Sequence, residues 1–349
     1  MPKKKIAVIG GGIAGMEAAG QLAAMGLEVS LLEKGNILGG HVANWHHLFP
    51  DGKLAKEIIA QLKSGVQDKV DIHFGAEVYK LQKSNNYFTL NLTDGQNIEA
   101  DAILVATGFD LFDASKKEEY GYSIYDNVLT SADLEEKFNS GKVLKTSNGA
   151  IPHKIAFIHC VGSRDEKVGN TYCSKVCCIT AVKQAIEVKK IIPEVEVYCF
   201  YMDLRFFDRY FEDTYFEAQT KYGIQFIRGR LSEASEDMNG AIILKAEDTL
   251  IGKPLKLTVD MVVLMVGKVS STGTQELSKR LSIQLDEDRF IKTLDSHTLF
   301  NFSNKEGIFV AGTCTGPKTI TETIADARSA AMQAASYLRN NSFSENNSK

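Results

Sequence analysis

Four of the six cysteines lie close together in the chain: Cys160, Cys173, Cys177 and Cys178. In a reducing compartment such a set reads as metal ligands or redox groups rather than structural disulfides. Adjacent Cys177 and Cys178 cannot readily share an unstrained disulfide, given the separation such bonds prefer. Cys173 and Cys177 would sit one turn apart if their segment is helical. Thiolates from a loop and a helix start can enclose a tetrahedral metal or a cubane cluster. Arg164, Lys167, Lys175 and Lys183 neighbour the set and favour thiolates and an anionic cluster. Two other chemistries remain open on spacing alone, a zinc site on the same sulfurs and a Cys173/Cys177 dithiol. Cys199, in the apolar run VEVYCFYM, reads as a core thiol, and Cys314 as a structural one.

The second chemical feature is Gly10-Gly11-Gly12-Ile13-Ala14-Gly15, which fits G-x-G-x-x-G. Gly10 suits a tight turn, Gly12 a close approach of backbone to pyrophosphate, and Gly15 the packing of helix on strand. The helix N-terminus offers N–H groups and partial positive charge to phosphates. Glu33 lies near the distance expected for an acid that accepts hydrogen bonds from a ribose. After a later strand the chain reads HCVGSRD instead, and only Gly162 remains of a second phosphate cradle.

These motifs need a scaffold of alternating strands and helices. Strands are predicted at Lys5–Ile9, Leu27–Glu33 and Ala102–Ala106, with a small-residue helix over Ile13–Met25. The stretch to Ala150 is polar and reads as a connection. A second alternating segment has strands at Lys154–His159, Glu194–Phe200, Ile224–Arg228, Ala241–Ala246 and Met261–Val266, and a helix over Ser174–Ile192. A strand at Gly307–Ala311 leads into a long helix over Thr321–Leu338. The expected organisation is a discontinuous dinucleotide domain (1–112 and 269–340), a connecting region (113–150), a second Rossmann-like domain carrying the cysteines (151–268) and a flexible tail (341–349).

Leu38-Gly39-Gly40, Ala106-Thr107-Gly108 and the run GIFVAGTCTG over Gly307–Gly316 accompany the first glycine motif. This set resembles the thioredoxin-reductase and glutathione-reductase-like flavoproteins, over nearly the whole chain. The resemblance implies an α/β fold with two Rossmann-like dinucleotide-binding domains, and FAD in the first. It implies flavin contacts at Gly10, Gly12, Ile13, Ala14, Gly15, Glu33, Lys34, Gly39, Gly40, Val78, Ala106, Thr107 and Gly108. Near the C-terminus it adds Gly312, Thr313, Lys318, Thr319 and Ile320. That family usually has Asp after the second motif glycine, where this chain has Thr313.

The stretch HCVGSRDEKVGNTYCSKVCCITAVKQA, followed by EVEVYCFYMDLRFFDRYFEDTY, narrows the reading. With RGRLSEA, AEDTLIGKPLKLTVDMVVLMVG and GTCTGPKTITETIADARSAA, it closely resembles the A subunit of heterodisulfide reductase. It is also similar to the A subunit of the quinone-interacting membrane-bound oxidoreductase. The resemblance implies a 4Fe-4S cluster on Cys160, Cys173, Cys177 and Cys178, and places Lys183 close to the flavin. By residue pattern alone, Lys183 is simply a helix position. The implied role is an oxidoreductase subunit that exchanges electrons with other heterodisulfide-reductase-like, iron–sulfur subunits and forms a homodimer. No C-x-x-C-x-x-C run of further ferredoxin-like clusters accompanies it. His41, Trp45, His46 and His47 follow the Gly39-Gly40 turn; lining of the flavin pocket is one reading of them, and loop packing is their expected use.

Composition bounds the rest. The 349 residues are 44% hydrophobic and 24% charged, with net charge −4. No basic excess supports nucleic-acid binding. No segment reaches the roughly 18 apolar residues of a spanning helix, and the start lacks a secretory pattern, so a cytoplasmic protein is expected.

Overall fold

A computed structural model describes residues 3–84, 87–141 and 143–346, with side chains described as far as residue 340. The chain divides into two compact units. One comprises Met1–Ala43, Ala55–Asp110 and Val269–Lys349; the other comprises Asn44–Leu54 and Leu111–Lys268.

The first unit opens with β1 (Lys5–Ile9), whose four apolar residues are all buried. Three glycines then turn the chain into α1 (Ile13–Ala24), whose small residues Ala14, Gly15, Ala18 and Ala19 are buried. β2 (Glu28–Glu33), α2 (Ala55–Val66) and β3 (Asp71–Phe74) follow. β4 (Val78–Lys83), β5 (Phe88–Leu92) and β6 (Asn97–Ala100) form an antiparallel meander. β7 (Ala102–Val105) is buried throughout, as its AILV run demands. The chain leaves this unit along β8 (Phe109–Leu111).

The second unit continues with β9 (Val128–Thr130) and α3 (Ser131–Asn139). Thr130 and Asp133 close a capping box at the start of α3, satisfying N–H groups that the helix itself leaves open. β10 (Lys154–Val161) precedes α4 (Cys177–Ile191), β11 (Glu196–Tyr201), α5 (Phe211–Thr220) and β12 (Gln225–Arg228). A second antiparallel meander, β13 (Leu231–Glu236), β14 (Ile242–Asp248) and β15 (Lys253–Val259), leads to β16 (Met261–Val266). The five parallel strands lie in the order β12-β11-β10-β16-β9.

β17 (Lys268–Ser270) carries the chain back to the first unit. There α6 (Thr272–Leu281), β18 (Ile308–Val310) and α7 (Ile320–Asn346) complete it. Its five parallel strands lie in the order β18-β7-β1-β2-β3. Each unit is thus a parallel Rossmann-type sheet with an antiparallel meander, and the fold class is the expected α/β one.

Several expectations need correcting. Residues 113–150 are not a bare connection: β9 within them is the edge strand of the second parallel sheet, paired with β16. Its three residues are too short to show a periodic pattern. Residues 44–54, expected in the dinucleotide domain, group with the second unit. α4 begins at Cys177 rather than Ser174, so Cys173 lies outside it. α7 runs on to Asn346, past the expected end at Leu338 and into the expected tail; residues 347–349 lie outside the described residues. No described helix is long and apolar enough to cross a membrane.

Candidate functional site

In the first unit the β1–α1 turn is shaped by contacts that only glycine permits. A Cβ on Gly10, where φ is 109°, would stand 2.4 Å from the Ala106 carbonyl oxygen. A Cβ on Gly15 would stand 1.7 Å from the carbonyl oxygen of Gly10. Gly12 differs, because a Cβ there would meet nothing within 4 Å. The open space lies at the start of α1, where the first-turn N–H groups have no intrahelical acceptor. No acidic residue occupies that turn to oppose an anion. This is the cradle a dinucleotide pyrophosphate fits.

Glu33 secures the cradle. Its Oε2 accepts from the Gly11 N–H at 2.7 Å and its Oε1 from the Gly35 N–H at 2.6 Å. Each carboxylate oxygen keeps further acceptor capacity for a ribose hydroxyl. The Gly39 N–H donates to the Gly11 carbonyl at 2.9 Å, and a Cβ on Gly40 would lie 3.4 Å from the Gly12 Cα. The Ala106 N–H donates to the Ile9 carbonyl, and the Thr107 hydroxyl is 2.7 Å from that of Thr274. Gly108 adopts φ 73°.

The C-terminal motif meets the same helix end. A Cβ on Gly312 would stand 2.6 Å from that of Ala14. The Gly312 N–H donates to buried Asp326 at 2.7 Å, and Asn301 donates to the other oxygen of that carboxylate. Thr313, in the position where the resemblance leads one to look for Asp, is buried. Lys318 reaches the Gly312 carbonyl at 3.1 Å and the Thr315 hydroxyl at 2.6 Å. Thr319 and Glu322 exchange hydrogen bonds that start α7 at Ile320. Not every candidate contact faces the cradle. Lys34 is exposed, and Val78 is buried in β4 with its carbonyl accepting from Arg280 at 2.6 Å.

In the second unit the corresponding β10–α4 connection is built differently. The β10–β16 register shifts between Ile158 and Val161, so His159 and Cys160 oppose a single partner position. Cys160 adopts φ 60°, Arg164 φ 54° and Lys175 φ 66°, all unusual for residues with side chains. Strand alternation would send Cys160 to the face opposite Ile155 and Phe157. The bulge instead packs it in one buried cluster with Ile155, Phe157, Cys177 and Cys178. Cys177 and Cys178 are the first two residues of α4, and Cys173 is half-buried, its sulfur accepting from the Lys175 N–H at 3.3 Å.

The thiols are electrically unequal. A hydrogen bond from Cys177, aided by His159 and Arg164, lowers Cys160 to about 7. Cys177 also donates to Cys178, and with His159 nearby the Cys178 thiol falls to about 4. As the shared donor, buried Cys177 is pushed up. Cys199 is pushed up by burial, as suits a core thiol, and burial lifts Cys314 to about 11. The loop 162–172 is tied down by Asp165, only 2% exposed, which takes Lys117 at 2.9 Å and Arg230 at 2.5 Å. Burial alone would raise Asp165, but these cations hold it below the usual carboxylate range.

Lys183 is not a solvent-facing charge. Its side chain is 11% exposed, paired with Glu135 and 3.4 Å from Glu187. Gln184 donates to Glu135 at 2.8 Å, and the His46 N–H donates to its second oxygen at 2.9 Å. His46 Nδ1 and His47 Nδ1 both reach Glu187 Oε1, at 2.6 and 2.7 Å. Burial would raise Glu187, yet Lys183 and the two imidazoles hold it low. His46 and His47 are therefore polar partners of α4 rather than loop packing. Reading the sequence for motifs missed Glu135, Glu187, Asp165 and Asp326; only Glu187 left a local signal, its i,i+4 spacing from Lys183.

Two parallel Rossmann-type sheets and a glycine cradle define a dinucleotide-binding fold. The chain belongs to the pyridine nucleotide-disulphide oxidoreductase family, whose model matches residues 4–334. It is 32% identical, over 95% of its length, to the A subunit of H(2):CoB-CoM heterodisulfide,ferredoxin reductase from Methanothermobacter marburgensis. It spans 63% of that relative. A similar subunit from Methanococcus maripaludis is 42% identical over 71% of this chain and 38% of its own length. Among solved structures, thioredoxin reductase from Lactococcus lactis superposes with a TM-score of 0.68 at 20% identity, covering 97% of this chain and all of that one. Thioredoxin reductase from T. acidophilum gives 0.66 at 19% identity, covering 97% of this chain and 99% of that one. At those identities the likeness is one of fold.

Proposed function

We propose that this chain is an electron-transfer subunit that holds FAD and a 4Fe-4S cluster and works within a heterodisulfide-reductase-like complex. The observation that carries the reading is the β10–α4 connection. Where a nicotinamide nucleotide would need a glycine cradle, the chain brings together a bulged strand, three buried cysteines and a helix N-terminus. The flavin would rest on Gly10, Gly12, Ile13, Ala14, Gly15, Glu33, Gly39, Gly40, Ala106–Gly108, Gly312 and Thr313. Lys34, Val78, Lys318, Thr319 and Ile320 complete the proposed set. Cys160, Cys173, Cys177 and Cys178 would hold the cluster. Bound flavin supplies two-electron chemistry that the cluster can divide into single electrons.

The donor set, four sulfurs, is one that a cubane cluster takes. Among the described residues, only His46, His47 and Glu187 form a group of three or more with donor atoms all within 4.8 Å. Arg164 and the start of α4 favour negative charge beside the sulfurs. Lys183, held between Glu135 and Glu187, is the cation proposed to stand near the flavin. Reduction of a substrate disulfide would fall to partner subunits, to or from which the cluster would pass electrons.

The deciding measurement is iron and acid-labile sulfide per FAD in protein purified without oxygen. About four of each per flavin is expected. Flavin with neither, even after anaerobic reconstitution, would sink the cluster. The rival reading, a self-sufficient NAD(P)H-dependent disulfide reductase using Cys173 and Cys177, requires steady NAD(P)H oxidation by the isolated protein.

A further inference from the structure

His159 is the residue immediately before Cys160, and its side chain is 7% exposed. Neither ring nitrogen has a hydrogen-bond partner among the described residues. An imidazole always carries at least one N–H, so at least one buried donor lacks an acceptor. Buried polar groups are normally satisfied, and such an exception calls for an explanation. The surroundings offer one. Strand alternation puts His159 on the face of Ile155 and Phe157, which pack with Cys177 and Cys178. The bulge at Ile158–Val161 brings Cys160 to that face as well.

We infer that His159 is an N–H···S donor to the iron–sulfur cluster, through the Cys178 sulfur or an adjacent sulfide, and that it raises the cluster's reduction potential. Hydrogen bonds to cluster sulfurs stabilise the more negative, reduced state and are a principal lever on potential. The orphaned nitrogens are what this arrangement looks like when the acceptor is absent from the protein part.

This inference rests on the cluster reading, and the two can fail separately. Absence of iron and sulfide from the wild-type protein defeats the cluster; a loaded cluster indifferent to His159 defeats only the donor. The experiment is an anaerobic redox titration, followed by electron paramagnetic resonance, of wild type, His159→Phe and His159→Gln. The Phe variant should shift the reduction equilibrium at least tenfold toward the oxidised cluster, about 59 mV for a one-electron couple. The Gln variant, which keeps an N–H of similar reach, should recover most of that shift. Equal potentials in all three proteins, or a Gln variant as low as Phe, would overturn the proposal. Should the Phe variant fail to load, resonance Raman of the wild type decides: Fe–S(Cys) stretches should move on exchange into deuterium oxide, and unmoved bands reject the donor.

Discussion

The two units use the same strand–turn–helix plan for opposite ends. Between β1 and α1 the connection is Gly10-Gly11-Gly12, short enough that Gly15 of the helix presses on the Gly10 carbonyl. Between β10 and α4 it is the long stretch 162–176, preceded by a bulge and carrying left-handed Arg164 and Lys175. The first turn exposes backbone N–H groups and needs no side chain. The second carries three buried cysteines where the first has glycines, and holds its loop with a buried ion network. A parallel sheet of one topology therefore presents different chemistry at its first crossover, backbone N–H groups in one unit and thiols in the other, according to what the turn carries.

Breaking the ion network should have the largest effect. Asp165→Ala leaves Lys117 and Arg230 without their shared carboxylate, Glu119 remaining to Lys117 at 2.6 Å. A loss of about 3 kcal/mol in unfolding free energy is expected from disrupting a buried pair, read by denaturant titration. Iron should be lost while flavin stays. If iron is retained at full stoichiometry, Asp165 is not what holds the cysteine loop.

Crowding the glycine turn is the mirror experiment. Gly15→Ala sets a methyl against the Gly10 backbone, which can yield only by moving the turn. About 1–3 kcal/mol of destabilisation is expected, with flavin absorbance falling and iron per chain unchanged. Loss of both cofactors together would mean that the two turns are not independent.

Acidification should weaken the second unit more than the first, with the smallest effect. In the second unit Asp165, Glu187 and Asp203 are held low by cations, against the burial that would raise them. Their stabilisation is complete above the unfolded carboxylate range and is lost as pH falls through the lowered folded values. In the first unit burial raises Asp286 and Asp288, so their cost is present at neutral pH and is relieved by protonation. That relief offsets the loss at Asp295, held low by hydrogen bonds from Thr298 and His297. Calorimetry from pH 7 down to about pH 4 and below should show the second unit weakening first. A uniform shift of a single transition would contradict this.

Much of the scaffold was legible because its strands are short, fully buried runs. KIAVI, AILV and MVVLMV announce themselves without any partner, and the glycine motif follows from local backbone geometry. β9 and the grouping of residues 44–54 with the second unit were not legible. Each depends on contacts far away in sequence, β9 on β16 and His46 and His47 on Glu187. Thr313 illustrates a middle case: the sequence shows a departure at that position, whereas the buried acid that binds the motif backbone, Asp326, emerges only from the fold.

What the sequence alone determined is which chemical groups the chain carries and the local turns that glycine and cysteine spacing permit. Spacing along a chain constrains only near neighbours, and that suffices for a phosphate-binding turn or a cluster of thiols. Tertiary structure decided which charges meet. Lys183 finds Glu135 and Glu187, Asp165 finds Lys117 and Arg230, and His159 lies buried with its ring nitrogens unpartnered. The reason is physical: burial strips water from these groups, so each is governed by whichever side chain the packing brings near, and sequence distance has no bearing on that.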